Sequence, residues 1–397
     1  MRKTGRHRVL IHDADVLMGE EVQPRTSVLI EGSRIVALGA DARRDGAFGH
    51  VRRVNRRGHY LVPGLLDLHT HGAAGVDFCR ASPDEFARAM RFYIRQGVTG
   101  LLVSVYPDAW SRLLRTVERV AGLIRDRVGS GVAFGIHLEG PYLSPKRPGA
   151  LPRQYFRPYR ARELDALLDA GRGTVKTMTL APERPRGAAL IRHLRRRGVV
   201  PAMGHSDADY SGTRRAINLG TRYATHLFNA MRGIHHRDSG PVPALLEDPD
   251  VNVEVIADGH HLHIPVLRLV CRQKCPNRLL LVSDSVQPCG LKAGRYEFAG
   301  VPVRVRGGRV TLADGTLAGS VLTLPRAIRL LVNKVGVSPA EAFLAASRNP
   351  AVAVGEARRR GAVARGRRAD LVLLNRRFVV EETWVGGECK YVRQRSG

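Results

Sequence analysis

A chain of 397 residues is longer than one ordinary domain, and a barrel of about 250 residues with a smaller satellite accounts for it. An apolar fraction of 44% without low-complexity sequence excludes a disordered or fibrous protein, no stretch approaches the roughly 20 apolar residues that span a bilayer, and Met1 to Val16 holds no signal-peptide run. The net charge of +28 is spread as arginines without interleaved aromatics, which speaks for solvated faces rather than a nucleic-acid surface.

In chain order, Val9–Leu17, Ser27–Leu38 and Val51–Leu61 are short β-like stretches, and the charged, Gly-rich span Asp41–Gly58 reads as a loop among them. From there apolar runs alternate with amphipathic segments. Eight runs follow: Leu61–Leu68, Gly100–Tyr106, Val132–Leu138, Val175–Leu180, Val199–Met203, Tyr223–Leu227, Val251–Ala257 and Leu279–Val282. Between the first two, Ser82–Gln96 predicts a helix: Ser82 and Glu85 form a capping box, Phe86, Met90 and Ile94 recur every four residues, and Gly97 stops it. Tyr296–Thr316 alternates around a Gly-Gly turn and predicts a β-hairpin, and Asp370–Leu374 with Phe378–Val385 return to the style of the first segments. The expected fold class is α/β: a (β/α)8 TIM barrel over residues 61–349, with a hairpin inserted near 295–317. Residues 1–60 and 350–397 would meet in a small β-sandwich domain.

Five cysteines are an odd number scattered along the chain, so no disulfide framework is expected. Cys271 and Cys275 sit one helical turn apart but lack a second pair at zinc-finger spacing, and read as buried thiols.

The chemistry lies at the ends of the apolar runs. His69 and His71 in LVPGLLDLHTHG are two residues apart, so a pleated strand aims both imidazoles to one side. A lone His-x-His is a weak sign, because histidines also cap strands and pack. Here the third run ends in Glu139, the fifth in His205, the sixth carries His226 and the eighth ends in Asp284. Nitrogen and oxygen donors converging where TIM-barrel enzymes place their catalytic groups suit a divalent zinc, iron or manganese ion.

The motifs HLEGPYLSP, MGHSDADY, ATHLFNAM followed by HHRDSG, VIADGHHLH, LVSDS and LAGS, in this order over nearly the whole chain, resemble the N-acetylglucosamine-6-phosphate deacetylase family of the amidohydrolase superfamily. That resemblance implies that Glu139, His205 and His226 hold a principal ion, with His69 and His71 supporting a second, so one or two ions per chain, zinc foremost. It implies Asp284 as the ligand that takes a proton from metal-activated water and returns it to the leaving amine. It also implies Asn229 and Ala230 against the sugar, and Arg237 with His261 on the phosphate of a phosphorylated N-acetyl amino sugar. Arg237 would reach in from the second subunit of a homodimer, in a cytoplasmic enzyme that uses neither membrane nor nucleic acid. His235, His236, His260 and His263 take no role. One departure stands out: where the family reads Lys-Gly-Ala-His, this chain has KRPGALP, placing Leu151 where a histidine helps polarise the scissile carbonyl. That leaves open another N-acetyl sugar or an N-acyl amino acid as substrate. The competing readings are a different barrel hydrolase, against which Arg237 and the FNAM segment argue, and a catalytically silent scaffold, against which the intact ligand set argues.

Overall fold

The computed structural model describes residues 7–47 and 50–394. Eight parallel strands form the barrel: Leu65–Thr70, Val98–Val105, Ala133–Glu139, Val175–Leu180, Val200–Met203, Tyr223–Ala224, Asn252–Val255 and Leu279–Leu281. Each pairs with the next in sequence. They fall on the eight apolar runs because a strand covered on both faces reads as a near-continuous apolar segment, and all eight residues of Val98–Val105 are buried. The ring closes through a parallel bridge between Thr70 and Ser285. There the Asp284 amide donates to the His69 carbonyl at 2.8 Å and the His71 amide to the Ser285 carbonyl at 2.8 Å. The seam of the barrel thus fixes the backbone of three candidate ligands.

The first barrel helix, Pro83–Arg95, begins at Ser82, whose hydroxyl accepts from the Glu85 amide while the Glu85 carboxylate accepts from the Ser82 amide at 2.9 Å. Its buried face carries Phe86, Met90 and Ile94, joined by Ala89 and Tyr93. Gly97, at φ +79°, lets the chain turn straight into the second strand.

The two ends of the chain share one sheet. Arg8–Met18 pairs antiparallel with Glu21–Glu31, which pairs with Arg34–Leu38. On its other side Arg8–Met18 runs parallel to Tyr60–Pro63, and that strand pairs antiparallel with Leu371–Leu374, followed by Val380–Val385 and Glu388–Val392. Val9, Ile11, Val28, Ile30, Leu61, Leu371 and Trp384 fill its core, while Val62, Val372 and Leu374 face the barrel cluster instead.

Two expectations need correction. Asp41–Gly58 is not all loop: a helix runs over Gly39–Asp45, while the strand Arg52–Asn55, which pairs with Arg8–Met18, lies within the expected β-like stretch Val51–Leu61. The helix turns only Ala42 to a core, so charge on its exposed side hides its periodicity. The insertion after the eighth strand is a four-stranded antiparallel sheet rather than a hairpin, over Gly294–Phe298, Val301–Arg306, Arg309–Thr311 and Leu317–Ser320. The extra turn is Ala299–Gly300, both residues at positive φ (+51° and +84°), the geometry of a tight hairpin turn in which an alanine disguises the signal. One face of this sheet packs Phe298, Val303, Val305 and Val310 against Tyr106, Leu143 and Leu151 at the barrel mouth.

Trp384 anchors the small sheet: it is 2% exposed and its indole donates to the Glu382 carboxylate at 3.0 Å. Trp384→Ala is expected to destabilise the protein by about 3–5 kcal/mol in urea unfolding, the usual range for a large core aromatic. A loss below about 1 kcal/mol would show that this core does not hold the two chain ends together.

Candidate active site

At the carboxyl ends of the barrel strands six side chains meet. His205 and His226 Nε2 each lie 3.1 Å from Glu139 Oε1, and 3.2 Å from one another. His69 Nε2 stands 3.4 Å from the same oxygen, while His71 Nε2 is 3.2 Å from Glu139 Oε2. Asp284 Oδ1 is 3.5 Å from His69 Nε2 and 3.3 Å from His71 Nε2. Possible ligand atoms of His69, His71 and Asp284 lie within 4.8 Å of one another, as do those of His69, Glu139 and His226. The strand ends bring together all six residues that the sequence nominated.

The backbone is bent to do this. His205, His226 and Asp284 have φ of +47°, +28° and +46°, and Phe228 and Ala230 beside them are also positive. Non-glycine residues in this region carry strain of order 1–3 kcal/mol each, and such strain concentrates at functional sites. Gly204, just before His205, lets the chain pass Thr179 and Thr225, which a Cβ would meet at 2.8 Å.

The outer nitrogens set the tautomers. His69 Nδ1 faces the Glu254 carboxylate at 3.1 Å, and His205 Nδ1 faces the Arg147 carbonyl at 2.9 Å. Neither partner can donate, so each Nδ1 carries the hydrogen and each Nε2 offers a lone pair to the centre. In the neutral imidazoles the Nε2 lone pairs of His69 and His205 converge with the carboxylates as acceptors, a set that a proton or a metal cation completes. Burial opposes charge on His69, yet the carboxylates of Asp284, Glu254 and Glu139 hold its pKa well above the ordinary value. His71 is likewise pushed up to about 9, against burial, by Asp284 and Glu139. Glu139 is held well below the carboxylate range: burial is outweighed by His69, His205 and His226. The field demands positive charge, and the donor set fits a divalent transition metal.

His137, two residues before Glu139, stays outside this set. Its two nitrogens face Ser104 Oγ at 2.9 Å and Thr179 Oγ1 at 2.7 Å, and burial, then repulsion from His69, pushes its pKa well below normal. Glu254 is the residue that the sequence reading missed. It accepts from the Tyr223 hydroxyl at 2.5 Å and the His226 amide at 2.9 Å as well as facing His69. A lone carboxylate inside the apolar run Val251–Ala257 was its signal.

A cavity of about 230 Å³ opens beside the cluster, lined by His71, Glu139, His205, His226 and Asp284. Asn229, Ala230 and His261 line it too, as do Leu151 and Phe298. The Asn229 amide group donates to the Leu227 carbonyl at 3.2 Å, and His261 Nδ1 pairs with Asp258 Oδ2 at 2.8 Å. Leu151 is 7% exposed and places a side chain without a donor in the wall. Arg237 is not brought to this cavity within the chain. It is exposed, with Nη1 2.7 Å from His236 Nε2, on the segment that also exposes Ile234.

Comparison with known proteins agrees with this geometry. The amidohydrolase family model matches residues 60–390. N-acetylgalactosamine-6-phosphate deacetylase from Escherichia coli O157:H7 is 36% identical over 339 residues, 85% of this chain and 89% of that protein. N-acetylglucosamine-6-phosphate deacetylase from Vibrio furnissii is 35% identical over 327 residues, 82% of each chain. Among solved structures, a variant of N-acetyl-D-glucosamine-6-phosphate deacetylase from Mycobacterium smegmatis in complex with N-acetyl-D-glucosamine-6-phosphate superposes with a TM-score of 0.89. It is 37% identical, over 97% of this chain and 99% of that one.

Because Glu254 orients His69, Glu254→Gln is expected to weaken metal binding by about 10- to 100-fold in a chelator competition, with the circular dichroism spectrum unchanged. Unchanged affinity would mean that His69 is positioned without it.

Proposed function

The chain belongs to the amidohydrolase family and, within it, to the N-acetylglucosamine-6-phosphate deacetylases, and from that footing we propose that it hydrolyses the acetamide of N-acetylglucosamine 6-phosphate to glucosamine 6-phosphate and acetate. The observation that carries the reading is the cluster of four histidines and two carboxylates set against a cavity with Asp284 in its wall.

In this reading Glu139, His205 and His226 would hold the principal ion, and His69 and His71 would hold a second. Glu139 would serve both, since Oε1 faces His205, His226 and His69 while Oε2 faces His71. Zinc is the proposed ion, with iron or manganese as alternatives. A bound divalent cation supplies Lewis-acid polarisation and makes water a nucleophile near neutral pH. Asp284, kept ionised against burial chiefly by His69 and His71, accepts the proton of the attacking water. The water oxygen bonds to the acyl carbon, the carbon–nitrogen bond breaks, and Asp284 returns the proton to the departing amine. Leu151 cannot donate to the carbonyl and instead gives the acyl methyl an apolar wall.

Asn229 and Ala230 meet the sugar, and His261, held by Asp258, meets the phosphate. Arg237 stands outside its own cavity on an exposed segment beside Ile234, and in this reading it serves the cavity of a second subunit in a homodimer. A phosphorylated substrate is retained inside the cell, and we place the enzyme in the cytoplasm with it. The 36% identity to an N-acetylgalactosamine-6-phosphate deacetylase favours one second reading, the epimer at the sugar's 4-position, so both sugars belong in the assay.

Asp284→Asn is expected to keep the fold but lose several orders of magnitude in kcat, since an amide cannot shuttle the proton; near wild-type turnover would place the base elsewhere. Arg237→Ala is expected to lower kcat/KM for the phosphorylated sugar by about 30- to 1000-fold, the worth of roughly 2–4 kcal/mol from a charge-assisted contact, and to matter little for plain N-acetylglucosamine. An equal ratio of the two kcat/KM values in wild type and variant would show that Arg237 reads no phosphate, and a generic N-acyl hydrolase would be the better account.

A further inference from the structure

At the other end of the barrel lies a cleft that the deacetylase reading does not use. It is about 560 Å³ in volume and is lined where the third and fourth strands begin, at Ala133, Phe134 and Lys176. Glu139 is six residues further along the third strand from Ala133, or ~20 Å at the rise of a β-strand. Conserving this face serves stability in barrels of this type, and their chemistry sits at the opposite face. Its walls come from Arg127 after the helix Trp110–Arg125, Arg34 of the small sheet, and the two arginine runs Arg358–Arg360 and Arg367–Arg368.

Eight of the fifteen lining residues are arginine or lysine, against 64 of 397 in the whole chain, so an Arg-rich composition does not account for the concentration. The acids present are few and already engaged. Glu356, the single acid in the wall, pairs with Lys176 at 3.1 Å. Asp370, behind it, pairs with Arg368 at 2.9 Å and Arg360 at 3.4 Å. Arg360 is held in place, 9% exposed and stacked 4.9 Å from the Phe134 ring centroid. Arg127, Arg358 and Arg359 make no side-chain hydrogen bond or ion pair with any described residue. Like charges gathered in a concave site with too few counter-ions repel one another, and an anion relieves the repulsion.

We propose that this cleft binds a small molecule carrying two or more phosphate groups, at a site separate from the active centre. Guanidinium forks match phosphate oxygens in pairs, and the volume lies within the range of about 300–1,000 Å³ typical of small-molecule sites. A single-stranded nucleic acid is the poorer occupant, because the one aromatic ring in the wall is already covered by Arg360 and leaves no platform for bases.

Calorimetric titration of the metal-loaded protein with fructose 1,6-bisphosphate tests this. Binding is expected to saturate at one molecule per chain and to weaken at least 10-fold in Arg358→Ala/Arg359→Ala. It should stay within twofold of wild type in Arg237→Ala, and in the charge-matched Arg304→Ala/Arg306→Ala, whose residues are exposed on the inserted sheet. The bisphosphate should raise the Tm of wild type but not of the Arg358/Arg359 variant, whose unliganded Tm should be no lower than wild type. The proposal is overturned by no binding at millimolar ligand, by loss of binding in Arg237→Ala, which would put the ligand in the active site, or by equal weakening in the Arg304/Arg306 control, which would mean a diffuse positive field. A lower unliganded Tm in the Arg358/Arg359 variant would assign those arginines a structural role instead. Displacement of the bisphosphate by a short single-stranded RNA that binds tighter would make the cleft a nucleic-acid surface.

Discussion

Three imidazole nitrogens stand within 3.4 Å of one buried oxygen of Glu139, and a fourth lies 3.2 Å from the other oxygen. An isolated carboxylate taken out of water is costly, and a cluster of acceptors more so, unless positive charge is supplied at the centre. Much of the barrel's detail serves to keep that cluster assembled. The first and eighth strands are joined by backbone hydrogen bonds at His69, His71 and Asp284 themselves. Left-handed backbone turns His205, His226 and Asp284 inward, and Glu254 fixes the imidazole of His69 from behind. The electrostatic demand and the stored strain describe one object, a site preorganised for a cation and for charge developing beside it.

The barrel was legible because a doubly covered strand is an apolar run, and eight such runs in succession leave few alternatives. The candidate ligands were legible for a related reason: a histidine or carboxylate at the carboxyl end of an apolar barrel strand lies at the mouth. Where the signal was mixed, reading failed. Ala42 is a single apolar residue in charged surroundings, so a helix passed for loop. Ala299 took a conformation that glycine or asparagine usually announces, so four strands passed for two. Glu254 lies in the middle of a run rather than at its end, and only the fold shows that it faces His69. Arg237 is the opposite case: the motif names it, while the single chain leaves it exposed and away from the cavity.

The inserted sheet shapes the reacting side of the site. Phe298 packs 5.4 Å from His71, centroid to centroid, and Leu151 joins the same apolar cluster, so one wall of the cavity is apolar. That wall excludes water from the amide and strengthens the interactions around it. The charge of the chain is also unevenly used. Acceptors are concentrated at the mouth of the barrel and unpaired cations at its base, so a strongly basic protein carries a centre that attracts metal at one end and a cleft that attracts anions at the other.

The most direct test of the account is acetate release from N-acetylglucosamine 6-phosphate by protein stripped with a chelator, then titrated with zinc while bound metal is measured by elemental analysis. The account predicts no turnover in the stripped protein and activity that returns in proportion to metal, reaching its maximum at one or two ions per chain. Full activity in protein holding well under one ion per chain would contradict it.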